Sequence, residues 1–180
     1  MNVKQWLNDW RNAAVKKTMP VLSFPCVQLT GVTVRQLVSD STLQAKGMKA
    51  VADRVDSAAA VSMMDLSVEA EAFGCTIRFS DGEVPTVTGQ LLETPEDAQA
   101  LQIPEVGAAR TGIYIDAIRQ ACALITDRPV FAGVIGPFSL AGRLMDVTEA
   151  LVNCYTEPEM VHAVMEKAVD FLIPYIREYR

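Results

Sequence analysis

Two carboxylates are placed where working groups tend to stand. Asp65 closes the short apolar run at 58–64, and Glu69 follows four residues later. In a parallel α/β fold, reactive groups sit where strands give way to loops. A carboxylate at such a point, turned into the mouth of a barrel, is partly desolvated, which raises its pKa and suits it to donate a proton or anchor a substrate. If a helix begins at Leu66, Asp65 and Glu69 share a face, and two carboxylates that close push their pKa values apart as acid–base chemistry requires. The alternative is that Asp65 caps the helix while Glu69 faces solvent. Spacing does not choose between these readings.

The other positions at the expected mouth are Phe24, Cys26 and Gln28 after one apolar run, Met64 beside Asp65, and Gly136, Phe138, Ser139 and Arg143 after another. These are candidates for substrate binding. The stretch Gly136-Pro137-Phe138-Ser139-Leu140-Ala141-Gly142-Arg143 offers backbone N–H groups and a guanidinium to an anion at a helix N-terminus, although it is neither a Gly-x-Gly-x-x-Gly nor a Walker loop, and a plain tight turn explains the spacing as well. Cys26 lies beside Pro25 as a thiol near the mouth, with packing as the competing role. His162, the one histidine, falls off the apolar stripe of its segment and reads as a solvated surface residue, so histidine-based nucleophilic catalysis has no support. Cys26, Cys75, Cys122 and Cys154 are tens of residues apart and form no Cys-x-x-Cys pair. No metal site is expected from them.

The scaffold that must position these residues follows from pattern. In 180 residues, 16 Lys+Arg stand against 22 Asp+Glu, and half the chain is hydrophobic. This excludes a disordered tail. An acidic chain with no basic cluster carries no electrostatic footprint for nucleic acid. No apolar run approaches the roughly 18 residues needed to cross a bilayer, and the first ten residues lack the apolar centre of a secretory signal, so a cytoplasmic protein is expected.

Val3, Trp6, Leu7, Trp10 and Ala14 form one helical stripe, predicting a docking helix within 1–18. Apolar runs at 21–24, 58–64 and 130–135 read as buried parallel strands alternating with helices at 33–38, 42–54, from 66 to 73, and from 108 to 125. Between them, Cys75–Phe79 and Val84–Thr88 flank Ser80-Asp81-Gly82-Glu83 and predict a β-hairpin insertion at 75–88, with Pro85 on an edge strand. Thr94-Pro95-Glu96-Asp97 is a helix start. Helices are further expected at 140–145 and 147–155. A final one, capped by Thr156, carries Val161, Val164, Met165, Ala168, Val169, Leu172, Ile173 and Ile176 on one stripe. The chain's 180 residues, with three core strands, fall short of a closed (β/α)₈ barrel, which needs roughly 200 to 250 residues. The expected fold class is therefore α/β with a parallel sheet, either a barrel or an open sheet, and the chain reads as a partial (β/α)₈ TIM barrel.

Three stretches carry a resemblance that covers nearly the whole chain: Pro20-Val21-Leu22-Ser23-Phe24-Pro25, then Met63-Met64-Asp65-Leu66-Ser67-Val68-Glu69-Ala70-Glu71-Ala72-Phe73-Gly74, and Gly136 to Arg143. Together they resemble the uroporphyrinogen decarboxylase superfamily, which also contains corrinoid-dependent methyltransferases. The resemblance implies a (β/α)₈ barrel of about twice this length, of which this chain is the N-terminal half, a single domain carrying the first strands and the hairpin insertion at 75–88. In the decarboxylases, a loop similar to Met-Arg-Gln-Ala-Gly-Arg-Tyr grips the porphyrinogen carboxylates through its arginines. Here the matching residues are Phe24-Pro25-Cys26-Val27-Gln28-Leu29-Thr30-Gly31, with no arginine. A decarboxylase tyrosine aligns with Arg143, whereas Asp65 does match the aspartate that contacts the pyrrole nitrogens. A polycarboxylate substrate needs cationic partners, so their absence has physical weight too.

The methyltransferase branch fits better. It implies a methylated corrinoid protein as partner, methylcobalamin carried on that partner, and a small-molecule thiol or folate as methyl acceptor. It also implies, in thiol-methylating members, a zinc ion held by a His-x-Cys pair and a later Cys from the C-terminal half. Asp65 and Glu69 would then orient the acceptor or the corrin edge. Two rival expectations stand beside it: the decarboxylase of porphyrin synthesis, and a non-catalytic half-barrel that pairs its open sheet edge with a second copy as a homodimer.

Overall fold

The computed structural model describes residues 2–180. Helix α1 (Val3–Asn12) is capped by Asn2, whose side chain accepts from the Gln5 N–H at 3.1 Å. It buries none of its residues, and Trp6 meets Phe131 edge-on at 5.3 Å between ring centroids.

The strand expected at 21–24 does not form. Phe24–Cys26 is a 3₁₀ turn that runs straight into α2 (Val27–Thr30), which Gly31 ends at φ +71°. Pro20 and Pro25 bracket the short run and leave no backbone donor at either flank of it. The segment still approaches its neighbour, through the Ala58 N–H on Thr18 O (2.8 Å) and the Met64 N–H on Ser23 Oγ (3.2 Å), contacts too sparse for a ladder.

Helix α3 (Val34–Val38) opens with a capping box between Thr33 and Gln36, and α4 (Ser41–Arg54) is capped by Asp40. Strand β1 (Ala60–Val61) leads to α5 (Val68–Ala72), which closes on Gly74 at φ +106°, with the Cys75 N–H reaching back to Ala70 O, as a Schellman ending requires. Strands β2 (Thr76–Arg78) and β3 (Thr86–Thr88) form the expected antiparallel hairpin, with Ile77 opposite Val87. Helix α6 (Pro95–Ala100) begins at the capping box of Thr94 and Asp97, and α7 (Thr111–Leu124) returns to β4 (Val130–Phe131).

Strands β1 and β4 are parallel, with Ala60 opposite Val130. The pairing is extended by the Ala60 N–H on Pro129 O and the Ser62 N–H on Phe131 O, both 2.9 Å, and by the Gly133 N–H on Ser62 Oγ at 2.8 Å. This is the strand, crossover and parallel strand of a barrel, its ladder shorter than the apolar runs suggested.

Helices α8 (Pro137–Met145), α9 (Val147–Thr156) and α10 (Pro158–Glu178) complete the described chain. Thr156 is not the cap of α10. It ends α9, and its hydroxyl bonds back to Val152 O and Asn153 Oδ1. The stripe of α10 is rotated from the expected one: Phe171 and Tyr175 turn inward, while Ile173 and Ile176 stay about half exposed. An aromatic series decides this, with Phe73 edge-on to Phe171 at 5.4 Å and Phe171 stacked on Tyr175 at 5.5 Å. Larger rings bury more apolar area than isoleucine and gain from their mutual geometry.

Two cores result. One joins α4, α7 and the outward side chains of the sheet, including Leu37, Met48, Ala60 and Ile118. The other joins α8, α10 and the hairpin, around Leu140, Leu144, Val164 and Phe171.

Candidate functional site

The end of β1 delivers Asp65 to the centre of a buried polar network. Its Oδ1 accepts from the Ser67 N–H (3.0 Å) and the Ser67 hydroxyl (2.6 Å), and its Oδ2 from Arg110 Nη1 (2.5 Å) and the Tyr114 hydroxyl (3.0 Å). A carboxylate has about four lone-pair sites, so Asp65 has none to spare. Arg110 is equally committed, with Nη2 donating to Ser67 Oγ (2.8 Å) and Nε to Glu71 Oε2 (2.5 Å). The side chains of Arg110 and Asp65 are 6 % and 0 % exposed. Burial disfavours the charge on Arg110, but Asp65, with Tyr114 and Glu71, outweighs it and raises the pKa above its ordinary value. The Tyr114 phenol is pushed well up, by burial first and by the Asp65 charge next.

Glu69 is placed differently. It is buried on α5, and its Oε1 accepts from the Ile135 N–H at 3.2 Å, tying the end of β1 to the segment after β4. Burial, assisted by the Asp65 charge, lifts its pKa to about 7, with the Ile135 bond and Arg110 pulling the other way. Glu69 therefore does not face solvent. α5 starts at Val68, not Leu66, and the Asp65 turn onto Ser67 fills the gap.

Beside this network lies a cavity of about 240 Å³ lined by Met64, Leu66, Ser67, the hairpin segment 84–87 and Arg143. It brings Met64 and Arg143 together. The remaining candidates are elsewhere. Phe24 is half-buried against the α4–α7 core, and Gln28 is exposed on α2. Cys26 is fully buried, its pKa pushed up to about 11 by burial, because α4 presents Gly47 to it: a Cβ on Gly47 would stand 2.6 Å from Cys26 Sγ. The thiol therefore packs in the core and does not reach the mouth. Gly136 and Ser139 are exposed at the start of α8, and Phe138 lines a separate groove of about 200 Å³ with Cys154 and His162.

Arg110, Tyr114, Ser67 and Glu71 escaped the reading of the sequence. The signal for two of them was present: Arg110 and Tyr114 are four apart at the start of a helix and so share a face, where a buried arginine without a partner would be costly. Among the described residues, no group of three or more His, Cys, Asp or Glu side chains is placed to hold a metal ion. The zinc ligands that the resemblance implied, a His-x-Cys pair and a later Cys, belong to the C-terminal half of the barrel. Among the described residues, no helix is long and apolar enough to cross a membrane.

The parallel β1–β4 pair, its covering helices and the polar cluster at the strand ends define part of a (β/α)₈ barrel with its mouth at the carboxyl ends of the strands. The structure superposes on a methyltransferase from Methanosarcina mazei with a TM-score of 0.81 at 21 % identity, covering 98 % of this chain and 55 % of that one. The family model for uroporphyrinogen decarboxylase (URO-D) matches residues 16–180, and the chain belongs to that family.

Among curated relatives, it is 30 % identical over 115 residues to the methylcobamide:CoM methyltransferase MtbA of Methanosarcina acetivorans, covering 63 % of this chain and 34 % of the relative. It is 31 % identical over 124 residues to a methylated-thiol–coenzyme M methyltransferase of Methanosarcina mazei, covering 65 % and 32 %. A uroporphyrinogen decarboxylase of Anaeromyxobacter dehalogenans is 28 % identical over 159 residues, covering 82 % and 45 %. The chain thus spans about a third of the methyltransferases and less than half of the decarboxylase.

Proposed function

We propose that the protein containing this chain transfers a methyl group from a methylated corrinoid on a partner protein to a small thiol, with this chain supplying one side of the acceptor pocket. The observation that carries the reading is the charge of the mouth. The segment 24–31, where a decarboxylase would place its arginines, is a 3₁₀ turn and short helix without a cationic side chain. Arg110 is consumed by Asp65 and Glu71, so of the cations named around the mouth Arg143 is left to line the cavity. One cation suits an acceptor with a single anionic group and cannot balance the many carboxylates of a porphyrinogen. The similarity to coenzyme M methyltransferases supports the same choice.

In this reading, the corrinoid supplies the methyl group. The chain's own residues hold the acceptor and take its proton. Methylating a thiol would form an S–C bond as the donor's cobalt–methyl bond breaks, its electron pair remaining with the corrinoid, and would release the S–H proton. Glu69 is buried and does not line the cavity, but with acceptor capacity beyond its Ile135 bond and a pKa near neutrality it is the group to which this reading assigns that proton, relayed through one water. Asp65 has no free lone pair, and its role is to fix Ser67, Arg110 and the wall of the cavity.

Calorimetric titration of the intact protein tests the choice of substrate. Coenzyme M binding, weakened by Arg143→Met, with no binding of the octacarboxylate uroporphyrin, is the expected result. Tight uroporphyrin binding without coenzyme M binding would select the decarboxylase.

A further inference from the structure

The hairpin of β2 and β3 forms one wall of the cavity through residues 84–87, so whatever fixes the hairpin also sets the shape of the pocket. Its base is held by the second core, where Ile77 and Val87 pack and where the Leu91 and Leu92 N–H groups donate to Leu144 O. The far end has a different anchor. Phe79, half-buried just after β2, receives two guanidinium groups at its ring: Arg110 at 4.9 Å and Arg35 at 5.9 Å from the centroid. Arg35 also donates from Nη2 to Phe79 O at 2.9 Å, and the Val34 N–H donates to Asp81 O at 2.9 Å.

The same Arg110 that holds Asp65, Ser67 and Glu71 thus lies against the hairpin. Its side chain is locked by three polar partners, so it offers Phe79 a fixed, desolvated cation, the setting in which cation–π attraction is strongest. From this arrangement we infer that Phe79 is a positioning residue that fastens the hairpin to the Asp65–Arg110 network, and that the hairpin so fastened determines which acceptor the cavity admits. The second part of this inference rests on the methyl-acceptor reading, whereas the first does not.

Two substitutions separate an aromatic latch from mere filling of space. Phe79→Leu keeps an apolar side chain of similar reach but has no ring, while Phe79→Tyr keeps the ring. In the intact protein, hydrogen exchange followed by mass spectrometry is expected to show amides of 76–88 exchanging about tenfold faster in Phe79→Leu, as loss of roughly 1.4 kcal/mol implies, with α4 and α7 unchanged. Phe79→Tyr should stay within about twofold of the wild type. Coenzyme M titrated into the same proteins should bind about tenfold more weakly to Phe79→Leu and normally to Phe79→Tyr.

Unchanged exchange in Phe79→Leu, or equal effects of Leu and Tyr, overturns the latch. Altered exchange with unaltered coenzyme M affinity overturns the hairpin's part in acceptor choice. Absence of coenzyme M binding in the wild type overturns the methyl-acceptor reading and, with it, that part, while the exchange data still decide the latch. If Phe79→Leu fails to fold, the exposed Arg35→Ala, which removes one cation and the bond to Phe79 O, should raise hairpin exchange about threefold, and no rise would overturn the latch.

Discussion

Arg110, at the start of α7, is bonded through Nη1 to Asp65 Oδ2 at the end of β1, at 2.5 Å, between side chains that are almost wholly buried. The pair joins the first crossover of the barrel to its returning helix, and Tyr114, Ser67 and Glu71 complete its hydrogen bonds. A buried pair of this kind adds little net stability over apolar packing, but breaking it leaves a charge without a partner.

Arg110→Leu is accordingly expected to destabilise the chain by about 3–5 kcal/mol, since Asp65 and Glu71 both lose their cation. Urea denaturation measures this as a lower midpoint at unchanged slope. Removing Asp65 as well, in Asp65→Leu with Arg110→Leu, should recover much of the loss. A double variant that is simply the sum of the two singles would show that the pair is not coupled.

Glu69 makes stability depend on pH in an identifiable window. Its pKa rises from 4.5 in the unfolded chain to about 7 in the folded one, so the folded state binds more protons between these values. Stability then falls as pH rises through this range, by about 3 kcal/mol at most, and is level in this respect above it. Glu69→Gln keeps an acceptor for the Ile135 N–H and has no charge to desolvate. It should match the wild type near pH 4 and exceed it near pH 8. Parallel pH–stability curves would contradict the environment assigned to Glu69.

Gly47 permits Cys26 to lie flat on α4. Gly47→Ala should destabilise by about 1–3 kcal/mol through overpacking, despite the better helix propensity of alanine, and Cys26→Ala in the same chain should relieve it. The cysteines divide accordingly. Cys122 and Cys154 are exposed and should react with a thiol reagent at pH 8, whereas Cys26 and Cys75, buried with pKa values near 11, should react only on unfolding.

Much of the scaffold was legible because it is written in local chemistry. Thr94-Pro95-Glu96-Asp97 names its own helix start, and the alternation around Asp81-Gly82 names its hairpin. The run at 21–24 misled because three apolar residues and a serine satisfy a strand pattern, while the prolines on either side leave no donor at its flanks. The α10 stripe was displaced because periodicity weighs Ile173 and Ile176 like any apolar residue, whereas packing favours the rings of Phe171 and Tyr175. At the site, the end of an apolar run pointed to Asp65 and Glu69. Arg110 lies 45 residues from Asp65, and Phe79 touches it only because the hairpin folds over; such a meeting depends on the crossover, which residue spacing does not encode.

Turnover by the intact protein, with methylcobalamin as donor and coenzyme M as acceptor, tests the central claim most directly. The account predicts formation of the methyl thioether, reduced about 100-fold or more in Glu69→Gln, with no decarboxylation of uroporphyrinogen. Decarboxylation of uroporphyrinogen without thiol methylation, or full methyl transfer in Glu69→Gln, would contradict it.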